Sequence, residues 1–141
     1  MPELSVGSVE GYRAFMRMRV LALGLVAIGI LLHFYEFLIG FEAQAKSLSI
    51  AFLVWSGLPY FVALFLIFLM RRTLIPLFGV VGPLVLDTVN HYYVFIEPAS
   101  STAGLNLLWI PVWNIVVLQP MGWVVGWLFW RACTHRAKLS G

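Results

Sequence analysis

Residues 48–96 read LSIAFLVWSGLPYFVALFLIFLMRRTLIPLFGVVGPLVLDTVNHYYVFI: two apolar runs joined back to back at Arg71-Arg72. About 20 apolar residues, rising about 1.5 Å each, cross a hydrocarbon core of about 30 Å, and each run is that long. Backbone groups in lipid find no water, so both runs predict helices. Pro59, Pro76 and Pro83 do not oppose this, because membrane helices tolerate proline where neighbours re-satisfy the freed carbonyl. Two arginines leave almost no loop, so the helices form an antiparallel hairpin.

Two more runs flank this hairpin, Val20–Phe41 before it and Leu105–Trp130 after it. Pro111 and Pro120 lie in the last one. The sequence therefore predicts an all-α integral membrane domain. Its four spans run from about 20–41, 48–70, 73–96 and 105–130 in an up-down bundle. Glu42–Ser47 and Glu97–Gly104 supply the other two connections, and no internal repeat is visible. The first run exceeds the roughly 7–15 residues of a signal-peptide core, so it is expected to stay as a span despite Ala43-Gln44-Ala45 after it.

Composition agrees. Of 141 residues, 62% are hydrophobic and 11% charged, with a mean hydropathy of +0.94. Soluble domains carry about 45–50% apolar and about 25% charged residues. A soluble enzyme, a nucleic-acid reader, a disordered linker and a coiled coil are excluded. The lone Cys133 excludes a disulfide framework and a cysteine-based zinc site.

The net charge of +3 follows topology. Arg13, Arg17, Arg19, Arg71, Arg72, Arg131, Arg136 and Lys138 fall on one side of the four spans, and only Lys46 on the other. Basic residues stay on the cytoplasmic side, so both termini are expected there. Arginine outnumbers lysine, which points to a bacterial inner membrane, with the endoplasmic reticulum as the alternative.

Ionisable residues within spans are expensive and suggest function. Counted from the arginines at about 1.5 Å per residue, His33 lies about 21 Å deep and Glu36 about 25 Å. Asp87, Asn90 and His91 lie at about 22, 27 and 28 Å, Asn114 at about 25 Å, Trp55 at about 24 Å and Tyr60 at about 17 Å. All four helices thus place polar groups in one slab of the outer half. His33 and Glu36 are i,i+3, and Asp87, Asn90 and His91 are i,i+3,i+4, so each set shares a face. An interior pocket would collect them.

Plainer alternatives stay open. Glu36, Asn90 and His91 could sit at the interface, and His33 with Asp87 could only fix helix packing. Tyr92, Tyr93, Trp109, Trp113 and Trp130 suit the interfacial aromatic belt. Gly122-x-x-x-Gly126 suits helix packing. Gln119 is expected to bond to backbone freed by Pro120.

Three chemistries fit the slab. A carboxylic acid in a low-dielectric pocket can keep its proton near neutrality, and a histidine can relay it. Such a site could protonate an alkene in a membrane-dissolved substrate, or hold a lipophilic amine among aromatic faces. Alternatively, His33-x-x-Glu36 and Asp87-x-x-x-His91 could ligate a metal. Asp87-x-x-x-His91 is similar to part of the copper site of membrane methane and ammonia monooxygenases, whose further histidine falls at Gly104 here. Transport is the third, since a helix-one glutamate on four spans is similar to small multidrug exporters.

The stretches Val54-Trp55-Ser56-Gly57-Leu58-Pro59-Tyr60-Phe61, Arg71-Arg72, Leu86-Asp87-Thr88-Val89-Asn90-His91-Tyr92-Tyr93-Val94-Phe95-Ile96-Glu97 and Trp113-Asn114 with Pro120 resemble the core of the emopamil-binding-protein family. His33-Phe34-Tyr35-Glu36 resembles the His/Glu pair of its first core helix. The wider EXPERA superfamily, which includes the sigma-2 receptor, is a membrane bundle with four core helices. The resemblance spans roughly residues 30–130 and implies a sterol-isomerase-type or sterol- and amine-binding pocket. His33 and Glu36 would match the proton-handling pair, and Asn114 a polar pocket residue. The chain departs from the family at three places. The pair is His-x-x-Glu rather than His-x-x-x-Glu. Leu48 and Ser49 stand where the isomerases carry another Glu. Ile115, Val116 and Val117 stand where they carry a Trp. Asp87 and His91 would supply replacement groups.

The resulting expectation is an intramembrane pocket for an isoprenoid- or sterol-like ligand. Glu36, Asp87 and His33 are the catalytic candidates, and Asn90, His91, Asn114, Trp55 and Tyr60 the ligand-binding ones. No cofactor, resident metal or nucleic acid is expected. Membrane lipid or a hydrophobic small molecule is the expected partner, with self-association open. The alternative is a non-catalytic subunit of a larger membrane complex.

Overall fold

The computed structural model describes residues 9–40, 46–70, 73–97 and 105–139. Helix α1 is Val9–Gly40, α2 is Lys46–Leu69 and α3 is Leu74–His91, which continues as a π-helical turn at Tyr92–Ile96. Helix α4 is Asn106–Trp113, followed by a second π turn at Asn114–Leu118 and by α5, Gln119–Leu139. The last three form one continuous span. Four stretches are long and apolar enough to cross a membrane: Tyr12–Leu38, Ile50–Leu69, Leu74–Ile96 and Leu108–His135. The chain is an integral membrane protein with a four-span, all-helical architecture. The connections at 41–45, 71–72 and 98–104 lie outside the described residues.

Side-chain contacts fix the up-down order. Arg19 near the start of α1 stacks over Phe68 near the end of α2, while His33 further along α1 faces Tyr60. These two helices are antiparallel. His33 meets Asp87 and Glu36 meets His91, so α1 and α3 run parallel. Trp55 reaches Leu108 and Gln119 reaches Pro59, so α2 and the last span run parallel too.

Helix α3 is the central element, packing on α1, α2, α4 and α5. Its closest approach is to α5, and two glycines explain it. A Cβ on Gly122 would collide with the Phe78 carbonyl, and one on Gly126 would come within 2.8 Å of the Leu74 carbonyl. Without a hydrophobic drive between helices in lipid, such close backbone approach is what holds them together.

The interior divides by depth. At the end bearing Arg19 and Arg131 it is apolar but for Thr73: Ala22 and Val26, Ala63 and Ile67, Leu77 and Val80 are buried at helical spacing on three helices. Further along, the buried side chains turn polar: His33, Glu36, Ser56, Asp87, Asn90, Asn114 and Gln119. Tyr60 spans the boundary, its ring in the apolar cluster and its hydroxyl among the polar groups. The outside is the reverse of a soluble surface, with Leu31, Phe65, Phe68, Val116 and Trp109 all exposed. Those residues face lipid.

Candidate functional site

His33 is the centre of the polar layer. Its Nδ1 lies 2.8 Å from Glu36 Oε2, one helical turn along α1, and its Nε2 lies 3.1 Å from Asp87 Oδ2 on α3. Asp87 also accepts from the Tyr60 hydroxyl at 2.5 Å and from Asn114 Nδ2 at 2.8 Å. The second Glu36 oxygen lies 3.1 Å from Nδ1 of His91. Six side chains from all four spans thus form one connected network.

With a neutral His91 donating to Glu36, the bonding sets how many protons the rest of the network holds. Each contact between His33 and a carboxyl oxygen needs one hydrogen. Either the ring is an imidazolium between two carboxylates, or it is neutral and one carboxyl carries the proton. Both arrangements give His33, Glu36 and Asp87 together a net charge of −1. A neutral His91 donating from Nδ1 and the uncharged Tyr60 and Asn114 leave that count unchanged. A single buried charge is tolerable only because each carboxyl oxygen has a hydrogen-bonding partner.

Local backbone features aim these groups. Gly29 lies one turn before His33, and the Tyr60 ring fills the space where a Cβ would stand. The ring therefore packs directly on α1, which carries its hydroxyl to Asp87. On the last span, Asn114 and Gln119 are both buried and both point inward. Five residues at about 100° each would leave them about 140° apart on an α-helix. The π turn between them, closed by the Gln119 N–H on the Asn114 carbonyl, takes one extra residue and recovers about 100° of that. Pro120 has no N–H to give Val116, so the α pattern is already interrupted there.

The sequence-predicted residues divide into three groups. His33, Glu36, Asp87, Tyr60, His91 and Asn114 are brought together. Asn90 is buried one turn beyond Asp87, but none of the network's bonds goes to it. Trp55 does not join them: it is 39% exposed, and its indole N–H donates to the Leu108 carbonyl on the surface between α2 and α4. Its neighbour Ser56 is the buried one. Gln119 corrects a second expectation. Its amide crosses to the Pro59 carbonyl of α2 rather than to backbone freed by Pro120. Gly29 and Gln119 are the positioning residues that depth counting missed.

Two buried acceptors, Asn114 Oδ1 and Gln119 Oε1, have no hydrogen-bond partner. Unpaired buried groups of this kind cost about 1–3 kcal/mol each. The metal-ligand spacings do not converge: Asp87 turns to His33, Tyr60 and Asn114, whereas His91 turns to Glu36. Among the described residues no three His, Cys, Asp or Glu side chains are arranged to hold a metal ion. Compared with protein-family models, curated proteins and solved structures, the chain matches none of them.

Proposed function

We propose that this protein is an intramembrane acid–base site for an apolar, isoprenoid- or sterol-like molecule, with an isomerase- or cyclase-type reaction as its activity. One observation carries the reading: a buried imidazole holds a carboxyl group on each of its two nitrogens, inside the membrane-spanning bundle. Proton transfer from a carboxylic acid to an alkene forms a C–H bond and leaves a carboxylate beside a carbocation. That carboxylate then takes a different proton from the cation, which returns an isomerised alkene and restores the acid. His33 shuttles the proton between Glu36 and Asp87, and Tyr60 and Asn114 hold Asp87 in place. The net charge of −1 suits the cationic intermediate, and equally suits a lipophilic amine.

The resemblance to the EXPERA superfamily supports the same reading, because His33, Glu36 and Asn114, which carry it, all belong to the network. The arginine side of the bundle is proposed to face the cytoplasm of a bacterium.

Glu36→Gln tests the proposal. The amide keeps shape and can still bond to His33, but it carries no titratable proton. Purified protein is incubated in D2O with a membrane-lipid extract, and deuterium incorporated into alkene carbons is read by mass spectrometry. A labelled lipophilic tertiary amine is titrated in parallel. Glu36→Gln should abolish both signals while the thermal unfolding temperature stays within a few degrees. Full function in Glu36→Gln would remove Glu36 from the mechanism and leave the network a packing device, as in a non-catalytic subunit.

A further inference from the structure

The polar network is a chain whose His91 end lies one helical turn nearer Glu97 than its Asp87 end. Its links run His91 Nδ1 to Glu36 Oε1, Glu36 Oε2 to His33 Nδ1, and His33 Nε2 to Asp87 Oδ2, at 3.1, 2.8 and 3.1 Å. Side-chain exposure falls along it without reversal, from 12% at His91 to 8% at Glu36, 6% at His33 and 1% at Asp87. Beyond Asp87 the chain forks into Tyr60 and Asn114, both fully buried. Basic nitrogens and carboxyl groups alternate, so each member can accept a proton on one side and release one on the other.

We propose that His91 is the port through which the buried carboxyl pair exchanges protons with the membrane surface at the end of the bundle bearing Glu97. Nδ1 takes the Glu36 bond, which leaves Nε2 as the ring's other protonatable atom. Hydronium gives a proton to Nε2 and becomes water, and the ring becomes an imidazolium. Its Nδ1 proton passes to Glu36 Oε1. The Glu36 carboxyl releases a proton from Oε2 to His33 Nδ1, and His33 passes its Nε2 proton to Asp87 Oδ2. One proton has been taken up, one has arrived at Asp87, and no carbon bond or oxidation state has changed. The network goes from a charge of −1 to neutral. The ring keeps its orientation because Tyr35 of α1 and Phe95 of its own span pack on it at centroid distances of 5.7 and 5.2 Å. Among the described residues, Glu36 and Tyr35 are the ionisable side chains set against it.

This inference rests on the acid–base reading but is tested without any ligand. Protein labelled with 15N-histidine in lipid nanodiscs is moved into D2O, and loss of the ring N–H signals is followed. In the native protein the His91 ring should exchange at least tenfold faster than the His33 ring. His91→Gln, which can still donate to Glu36, should slow His33 exchange tenfold or more at an unchanged unfolding temperature. In His91→Ala, added imidazole should restore the rate in proportion to its concentration, which a structural role for His91 would not give. His33 exchanging as fast as His91 in the native protein overturns the proposal, even if neither variant folds. So does an unchanged His33 rate in His91→Gln, or no rescue in a folded His91→Ala. These outcomes are independent of Glu36→Gln. A port that fails while Glu36→Gln loses function refutes His91 alone, and the reverse refutes the acid–base reading alone.

Discussion

A Cβ on Gly29 would collide with a carbon of the Tyr60 ring. A glycine on α1 therefore decides where the Tyr60 hydroxyl of α2 lies, and with it one of the bonds that hold Asp87. Gly29→Ala should push Tyr60 away from Asp87 at a cost of about 1–3 kcal/mol. Tyr60→Phe removes the bond directly, at about 1.5–3 kcal/mol for a bond to a charged group. The two changes act on the same contact, so the double variant should lose clearly less than the sum. A double-mutant cycle by thermal unfolding in detergent micelles checks this, and simple additivity would show that Gly29 does not act through Tyr60.

Asp87 and Trp55 lie at similar depth and should behave oppositely. Asp87→Leu takes the acceptor from His33, Tyr60 and Asn114 together, and breaking a buried ionic network in this way costs about 3–5 kcal/mol. Trp55→Phe loses one exposed bond to Leu108 and should cost no more than about 1 kcal/mol. It should also leave amine binding unchanged. Unfolding curves and the amine titration on both variants decide the matter, and lost binding in Trp55→Phe would return Trp55 to the site.

The α3–α5 contact makes a steric prediction. Gly122→Leu must move α5 off the Phe78 carbonyl and should cost about 1–3 kcal/mol or more. Gly24→Leu places its Cβ where nothing lies within 4 Å, and should be near neutral. Equal unfolding temperatures for the two would exclude glycine packing as the basis of the contact.

Topology gives the fourth prediction. Reporter fusions at Gly141 should read as cytoplasmic, and insertions at 100–104 as external, from the eight-to-one split of basic residues. An external Gly141 would reverse the orientation.

Much of the architecture was legible because membrane spans announce themselves by length and composition. The start of α1 was not: hydropathy marks Val20, whereas the helix begins at Val9. Hydropathy reports where lipid begins, and Arg13, Arg17 and Arg19 are good helix formers outside it. Depth was legible too, since helical rise is constant, and it brought His33, Asp87 and Asn114 to one level from residue numbers alone. Rotation was harder. Trp55 and Ser56 differ by about 1.5 Å in depth but by about 100° in direction, so depth without phase could not tell which of the two is buried. Gly29 lies one turn before His33, but its contact with Tyr60 joins two helices and leaves no local pattern. Asn114 and Gln119 share a face only because of a π turn, which a constant period of 3.6 cannot reveal.

That π turn makes the last span tolerant of one particular loss. Four residues at about 100° each come to about 40°, the angle at which the π turn already holds Asn114 and Gln119. Losing one of Ile115, Val116, Val117 and Leu118 would therefore restore an ordinary helix and leave Gly122 and Gly126 on α3 while Asn114 stayed on Asp87. Keeping all four and winding them as ordinary helix would turn everything after them by about 100°, and the two glycines would swing off α3. The surplus residue is an absorbed insertion: the rod carries it as a local bulge, and its two halves keep the phase of a shorter helix.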